Sequence, residues 1–229
     1  MKVKLLSIIL CSILLTGCNQ NNGKNNPNPP APTWDEYVVD FSSLDLGSSN
    51  ILQSQDGTFK TKVLSFLNNS MDNIVTDISF TGNNKVKIEK SEFPAPFEQV
   101  QGLILGSQSD DGYLQFEFTK ELLSVTFTIQ QYYNIVAGYD GDPHNYPYYD
   151  GQEYNYETEE YEGYTKIEVN EVSHEIESIS FRYDDNGYAY CDIPPVVEEL
   201  AALGGNSLIV NGLAGMRTRI YSMKFLFRK

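Results

Sequence analysis

The sequence of 229 residues predicts an all-β fold, a β-sandwich of jelly-roll type with one or two short helices. Short runs rich in Val, Ile, Phe, Tyr and Thr recur along the chain, and these residue types suit a half-buried pleated surface. Several runs alternate apolar and polar residues with the two-residue period of a strand. Turn-forming clusters such as SQSDDG and DDNG separate them. Many short strands between turn signals indicate a sandwich.

Taken in order, the folded part begins near Trp34, and Tyr37-Val38-Val39-Asp40-Phe41 reads as a first strand. Phe59, Val63, Phe66 and Leu67 fall on one face of a helix, with Asp56 and Thr58 as caps at its start. From Ile74 the pattern returns to strand: Val75, Asp77 and Ser79 alternate with Ile78 and Phe80. Lys85-Val86-Lys87-Ile88 follows after a Gly82-Asn83-Asn84 turn. GLILGS is next, then Leu114, Phe116 and Phe118 alternating with Gln115 and Glu117, a strand with one wet face. Val125, Phe127 and Ile129 repeat the arrangement with threonines opposite. Ile167 and Val169, then Ile176, Ile179 and Phe181, make further strands, and Asn186-Gly187 suits a tight hairpin turn. Pro194-Pro195 stops the sheet, and Val196 to Leu203 reads as a short helix ended by Gly204-Gly205. SLIVNG and a last strand close the chain. That strand is apolar on both faces at Ile220, Met223, Phe225, Leu226 and Phe227, as a central strand would be.

The first residues, MKVKLLSIILCSILLTGC, place Lys2 and Lys4 before a short apolar run. A bilayer span needs ~20 apolar residues, so the run reads as a signal peptide over residues 1–17. Leu15-Thr16-Gly17-Cys18 resembles the lipobox of bacterial lipoproteins. That resemblance implies a diacylglyceryl group on Cys18, which becomes the new N-terminus. It places the protein on the outer face of the cytoplasmic membrane, or on the outer membrane in a Gram-negative cell. Two acyl chains hold firmly where one is marginal. Residues 18–33, rich in Asn and Pro, read as a tether, and residues 34–229 as the sandwich. With Cys11 removed and Cys18 acylated, Cys191 is left alone, a small buried hydrophobe in a strand rather than half of a disulfide.

There are 16 Lys+Arg against 31 Asp+Glu, and without Lys2 and Lys4 the balance is 14 − 31 = −17. Such a surface repels phosphate backbones and excludes nucleic acid as a partner. The order GLILGS, GYLQFEF, LLSVTFTI, SLIVNG and RTRIYSMKFLF resembles a jelly-roll module of extracellular proteins in low-GC Gram-positive bacteria. That resemblance, over Gly102 to the C-terminus, implies a surface role akin to carbohydrate-binding sandwiches and supplies no catalytic residues.

No catalytic constellation is visible: the histidines are His144 and His174, and HExxH, GxSxG, P-loop and paired-Cys patterns are missing from the sequence. The expectation is therefore no enzyme, no cofactor and no metal site, with Asp140 and Asp142 as the one Ca²⁺ candidate. Asp140-Gly141-Asp142 offers two hard oxygens but departs from the EF-hand pattern after them. An insert over residues 138–164 stands where the module has a short connection. It carries Tyr146, Tyr148, Tyr149, Tyr154 and Tyr156 among carboxylates, and Gln152 to Tyr156 alternates as a hairpin strand would. Loops this long are usually functional or disordered. Tyrosine offers a flat apolar face and a hydroxyl for sugar rings or peptides. These five tyrosines are the candidate ligand-binding residues. The expected function is a membrane-tethered surface lipoprotein whose sandwich binds an extracellular glycan or protein without catalysis. The alternatives are a structural or antigenic lipoprotein with no small-molecule ligand and, last, a glycoside hydrolase.

Overall fold

The apolar segment that closes the sequence forms a strand, β16 (Thr218–Arg228), at the centre of the larger sheet. The computed structural model describes residues 33–91, 100–132, 152–155, 160–163, 165–176, 181–183, 189–191, 196–201 and 204–229. On one edge β16 pairs with β7 (Leu122–Gln131) along nearly its whole length, and β7 in turn carries β14 (Val196–Ala201). The other edge of β16 is shared end to end. β5 (Val100–Leu105) takes Arg219 and Ile220, and β1 (Trp34–Asp40) takes Ser222 to Arg228. β4 (Val86–Ser91) and β2 (Ile51–Gln53) continue the sheet beyond β5.

The facing sheet runs β11 (Val172–Ile176), β10 (Thr165–Val169), β15 (Ser207–Gly212), β6 (Gly112–Phe118) and β3 (Val75–Phe80). All recorded strand pairs are antiparallel, and the chain crosses between the sheets from β5 to β6 to β7 and from β14 to β15 to β16. The fold is thus the all-β sandwich expected, with one α-helix, α1 (Phe59–Ser70), and two 3-10 turns among the described residues. Two hairpins form sheets of their own: β8 (Gln152–Asn155) with β9 (Glu160–Gly163), and β12 (Phe181–Tyr183) with β13 (Ala189–Cys191).

The core lies between the sheets. Leu114, Phe116 and Phe118 of β6 face Val125, Phe127 and Ile129 of β7 and Phe225 and Phe227 of β16, all buried. Helix α1 presents Phe59, Val63 and Leu67 to this core, and its Phe59 ring meets Phe80 edge-on at 4.7 Å. Where β1 ends at Asp40, Phe41–Ser43 makes a 3-10 turn, so Phe41 leaves the expected strand. The buried Gln101 amide donates to the carbonyls of Phe41 (2.6 Å) and Leu44 (2.7 Å), satisfying backbone groups next to the place where β1 gives way to β5.

Three readings are corrected here. The segment Val196–Ala201 is strand β14 rather than a helix, because β7 offers it a partner from Ser124 to Ile129. A run this short cannot sustain a helix unaided, whereas Val196 and Val197 suit a sheet. Asp56 does not cap α1 with its side chain; its carboxylate accepts from the Gln53 N–H at 2.8 Å, and Thr58 is the N-cap with no side-chain bond. A bulge between Val75 and Asp77 turns both Val75 and Ile78 inward, and another at Tyr221 does so for Ile220 and Met223. Leu226 sits half-buried on the opposite face. The hairpin read around Asn186-Gly187 is present as β12 with β13, Tyr183 pairing with Ala189, and Asn186-Gly187 itself lies outside the described residues.

Candidate functional site

The length of β16 sets the scale of the molecule: eleven residues at strand rise span ~35 Å. At its C-terminal end Arg228 pairs with Trp34, and the Lys229 N–H donates to the Thr33 carbonyl at 3.2 Å, so the chain enters the sandwich here. We call this the proximal end. At the other, distal end Thr218 pairs with Gln131, where β7 stops. Strand β10 also begins distally: Ile167 pairs with Gly212, which pairs with Gly112 at the start of β6. The segment joining β7 to β10, with its tyrosines and carboxylates, therefore leaves and rejoins the sandwich at the distal end.

Its point of departure is built with care. Tyr132 follows β7, is 95 % buried, and donates its N–H to the Arg217 carbonyl at 2.9 Å. The Arg217 guanidinium lies 4.3 Å from the Tyr132 ring centre, and Arg219 and the Lys87 ammonium each lie 5.4 Å away. A cation over the negative face of an aromatic ring is attracted to it, more strongly where water is excluded. Arg219 is the largest fully buried side chain among those described, and its guanidinium lies 3.6 Å from the Glu89 carboxylate. It reaches Glu89 because Gly102 stands directly opposite Glu89 on the intervening strand; a Cβ there would sit 2.7 Å from Arg219 Cγ. Lys87 pairs with the same Glu89, and the Tyr221 hydroxyl donates to Gln130 at 2.6 Å on the neighbouring strand. Chemically this is a rigid polar floor that fixes the exit of the chain.

Beside it, the 106–112 loop is pinned by an ion pair between Lys85 and Asp110. The hydrogen bond from Lys85, reinforced by one from the Ser109 hydroxyl, holds the Asp110 carboxyl below the usual carboxylate range. Ala214 N–H donates to Asp111 at 2.8 Å and Gly215 N–H to the Ser107 carbonyl at 3.1 Å, tying this loop to the one before β16.

Of the candidate residues, Tyr154 lies in β8, paired in register with Tyr161 of β9, so that part of the insert is the hairpin its alternation suggested. Tyr146, Tyr148, Tyr149 and Tyr156 lie outside the described residues, as do Cys18, Asp140 and Asp142. Cys191 pairs with Phe181 in a strand, and His174 is half-buried opposite Ile167. Among the described residues no group of three or more His, Cys, Asp or Glu is placed to hold a metal ion, and no helix is long and apolar enough to cross a membrane. The Tyr132 floor was missed in the sequence. Its signals are the cations of RTRIY and the acid and cations of KVKIEK on strands read as ordinary, plus a glycine inside a strand. No protein-family model matches this chain, and no curated protein matches it.

Proposed function

We propose that this protein is a membrane-tethered surface lipoprotein, acylated at Cys18, whose sandwich holds out a non-catalytic binding segment for an extracellular glycan or protein. The observation that supports this best is the placement of the insert. It departs from β7 and returns at β10 at the end of the sandwich opposite Thr33, about one strand length away. A ligand segment on a tethered protein is useful on the side facing outward, and here the tyrosines Tyr146, Tyr148, Tyr149, Tyr154 and Tyr156 all belong to that segment. Tyrosine faces stack on sugar rings or peptide groups, while neighbouring carboxylates accept from hydroxyls. With eight carboxylates and no Lys or Arg over residues 133–164, the segment suits a neutral or cationic ligand.

The test starts from a glycan array and a panel of surface proteins, followed by calorimetry on the best binder. Replacing residues 138–164 by a short Gly-Asn turn is expected to abolish binding while leaving the melting temperature nearly unchanged. Tyr148→Ala with Tyr149→Ala weakens it, and salt weakens it further only if the ligand is cationic. Unchanged affinity after replacement overturns the assignment to the insert. A wild-type protein that binds nothing in either screen points to a structural surface role.

A further inference from the structure

We propose that the outer face of β1 and β16 at the proximal end is a membrane-contact surface. In it Trp34 is an interfacial anchor, and Lys224, Arg228 and Lys229 meet the anionic headgroups of the bilayer that carries the lipid anchor. The inference rests on the acylation of Cys18 proposed above.

The first support is exposed apolar surface in an unusual place. Trp34 is 46 % exposed and Val38 52 % exposed, two of four large apolar side chains so exposed among the described residues. They lie on the same face of β1, and their register partners on β16 are Arg228 and Lys224, with Glu36 opposite Leu226 between them. The face is thus a small amphipathic patch of Trp, Val and Leu edged by cations. Tryptophan favours the headgroup level of a bilayer, where its ring is half wet and half apolar.

The second is charge. Lys120, Lys224, Arg228 and Lys229 gather at the proximal end, alongside Asp35, Glu36, Asp72 and Glu121. The chain as a whole carries 14 − 31 = −17 from Cys18 onward. The segment over residues 133–164, which leaves from the distal end, carries eight carboxylates and no Lys or Arg. Like charge turns that segment away from an anionic surface, which leaves the proximal end to face it. Two ion pairs there join exposed side chains, Arg228 to Glu121 at 2.6 Å and Lys224 to Glu36 at 3.9 Å, and Lys229 lies 3.9 Å from the half-buried Asp35. Such pairs contribute little in water and can be exchanged for phosphate.

The third is reach. Fourteen residues lie between Cys18 and Thr33, and the fifteen Cα-to-Cα steps span about 50 Å when extended. The proximal end is closest along the chain to the anchor, and contact there needs no unfolding.

Trp34 is the single tryptophan, so its fluorescence reports on this face alone. The acylated full chain is placed in phosphatidylglycerol-containing vesicles, with and without lipids brominated near the headgroup. The expected result is a blue shift of Trp34 emission relative to detergent, quenching by brominated lipid, and reduced quenching by aqueous acrylamide. Raising salt partly reverses all three in the wild type. Lys224→Glu with Arg228→Glu reverses them in low salt, and binding of the non-acylated Cys18→Ser chain to the same vesicles falls about fivefold per cation lost. Equal acrylamide access in vesicles and detergent overturns the proposal. Radioactive palmitate separates the two claims. Label on Cys18 without bromine quenching leaves the anchor and sinks the contact surface. Quenching of the unlabelled chain leaves the contact surface and sinks the anchor.

Discussion

At the proximal end Phe118 meets Phe227 at 5.0 Å and Phe225 at 5.9 Å, both edge-on, and Tyr37 closes over Phe227 at 6.1 Å. At the distal end the buried core is aliphatic, with Leu105, Leu114 and Val210, and close backbone approach and polar contacts also join the sheets. A Cβ on Gly212 would lie 2.3 Å from the Leu105 carbonyl oxygen, and one on Gly112 2.3 Å from that of Lys85. Around these glycines stand the Lys85–Asp110 pair and the cations on Tyr132. One end draws its stability from buried aromatic surface, which is non-directional. The other fixes where loops leave the sheets, because backbone contacts and hydrogen bonds have defined geometry.

This contrast can be broken most severely at the proximal end. Phe118→Ala removes a ring shared by three partners and is expected to destabilise the protein by ~3–5 kcal/mol in urea unfolding. A loss no larger than that of a surface substitution would mean that the aromatic cluster does not hold the sheets together. At the distal end, Gly212→Ala forces backbone apart and is expected to cost ~1–3 kcal/mol. Gly82→Ala, with open space around it, is the control and stays near neutral. Equal effects at the two glycines would refute close approach as the distal device.

How much of this was legible follows the range of the interaction. The face of α1 could be read from Phe59, Val63 and Leu67 because it is a local period. The alternation of β6 and β7, and the hairpin strand holding Tyr154, were legible for the same reason. The bulges at Thr76 and Tyr221 break that period by one residue and leave no local mark. Strand β14 was misread because its partner decides its state and lies some seventy residues earlier. The Tyr132 floor joins β4, β5, β7 and the approach to β16, so it exists only once the register of four segments is known.

The smallest expected effect concerns acid. Asp110 and Asp77 are both held below the ordinary carboxylate value, chiefly by hydrogen bonds from Lys85 and Lys60 respectively. Their contribution is therefore fully present above pH about 4 and is lost as pH falls through the lowered values. Asp110→Asn should flatten the fall of stability below that pH without changing its plateau slope near neutrality. A variant as acid-sensitive as the wild type would show that the distal ion pair does not contribute.

The split edge of β16 also has a kinetic meaning. Its neighbours come from the first strand of the sandwich, from β5 and from β7, so the larger sheet cannot close until β16 is in place. Closure joins segments far apart in sequence, as Trp34 beside Arg228 illustrates. Chains dominated by such distant pairings fold in milliseconds to seconds rather than microseconds. Until β16 arrives, β1, β5 and β7 each keep an unpaired edge, and the nascent protein is most exposed to aggregation in that interval.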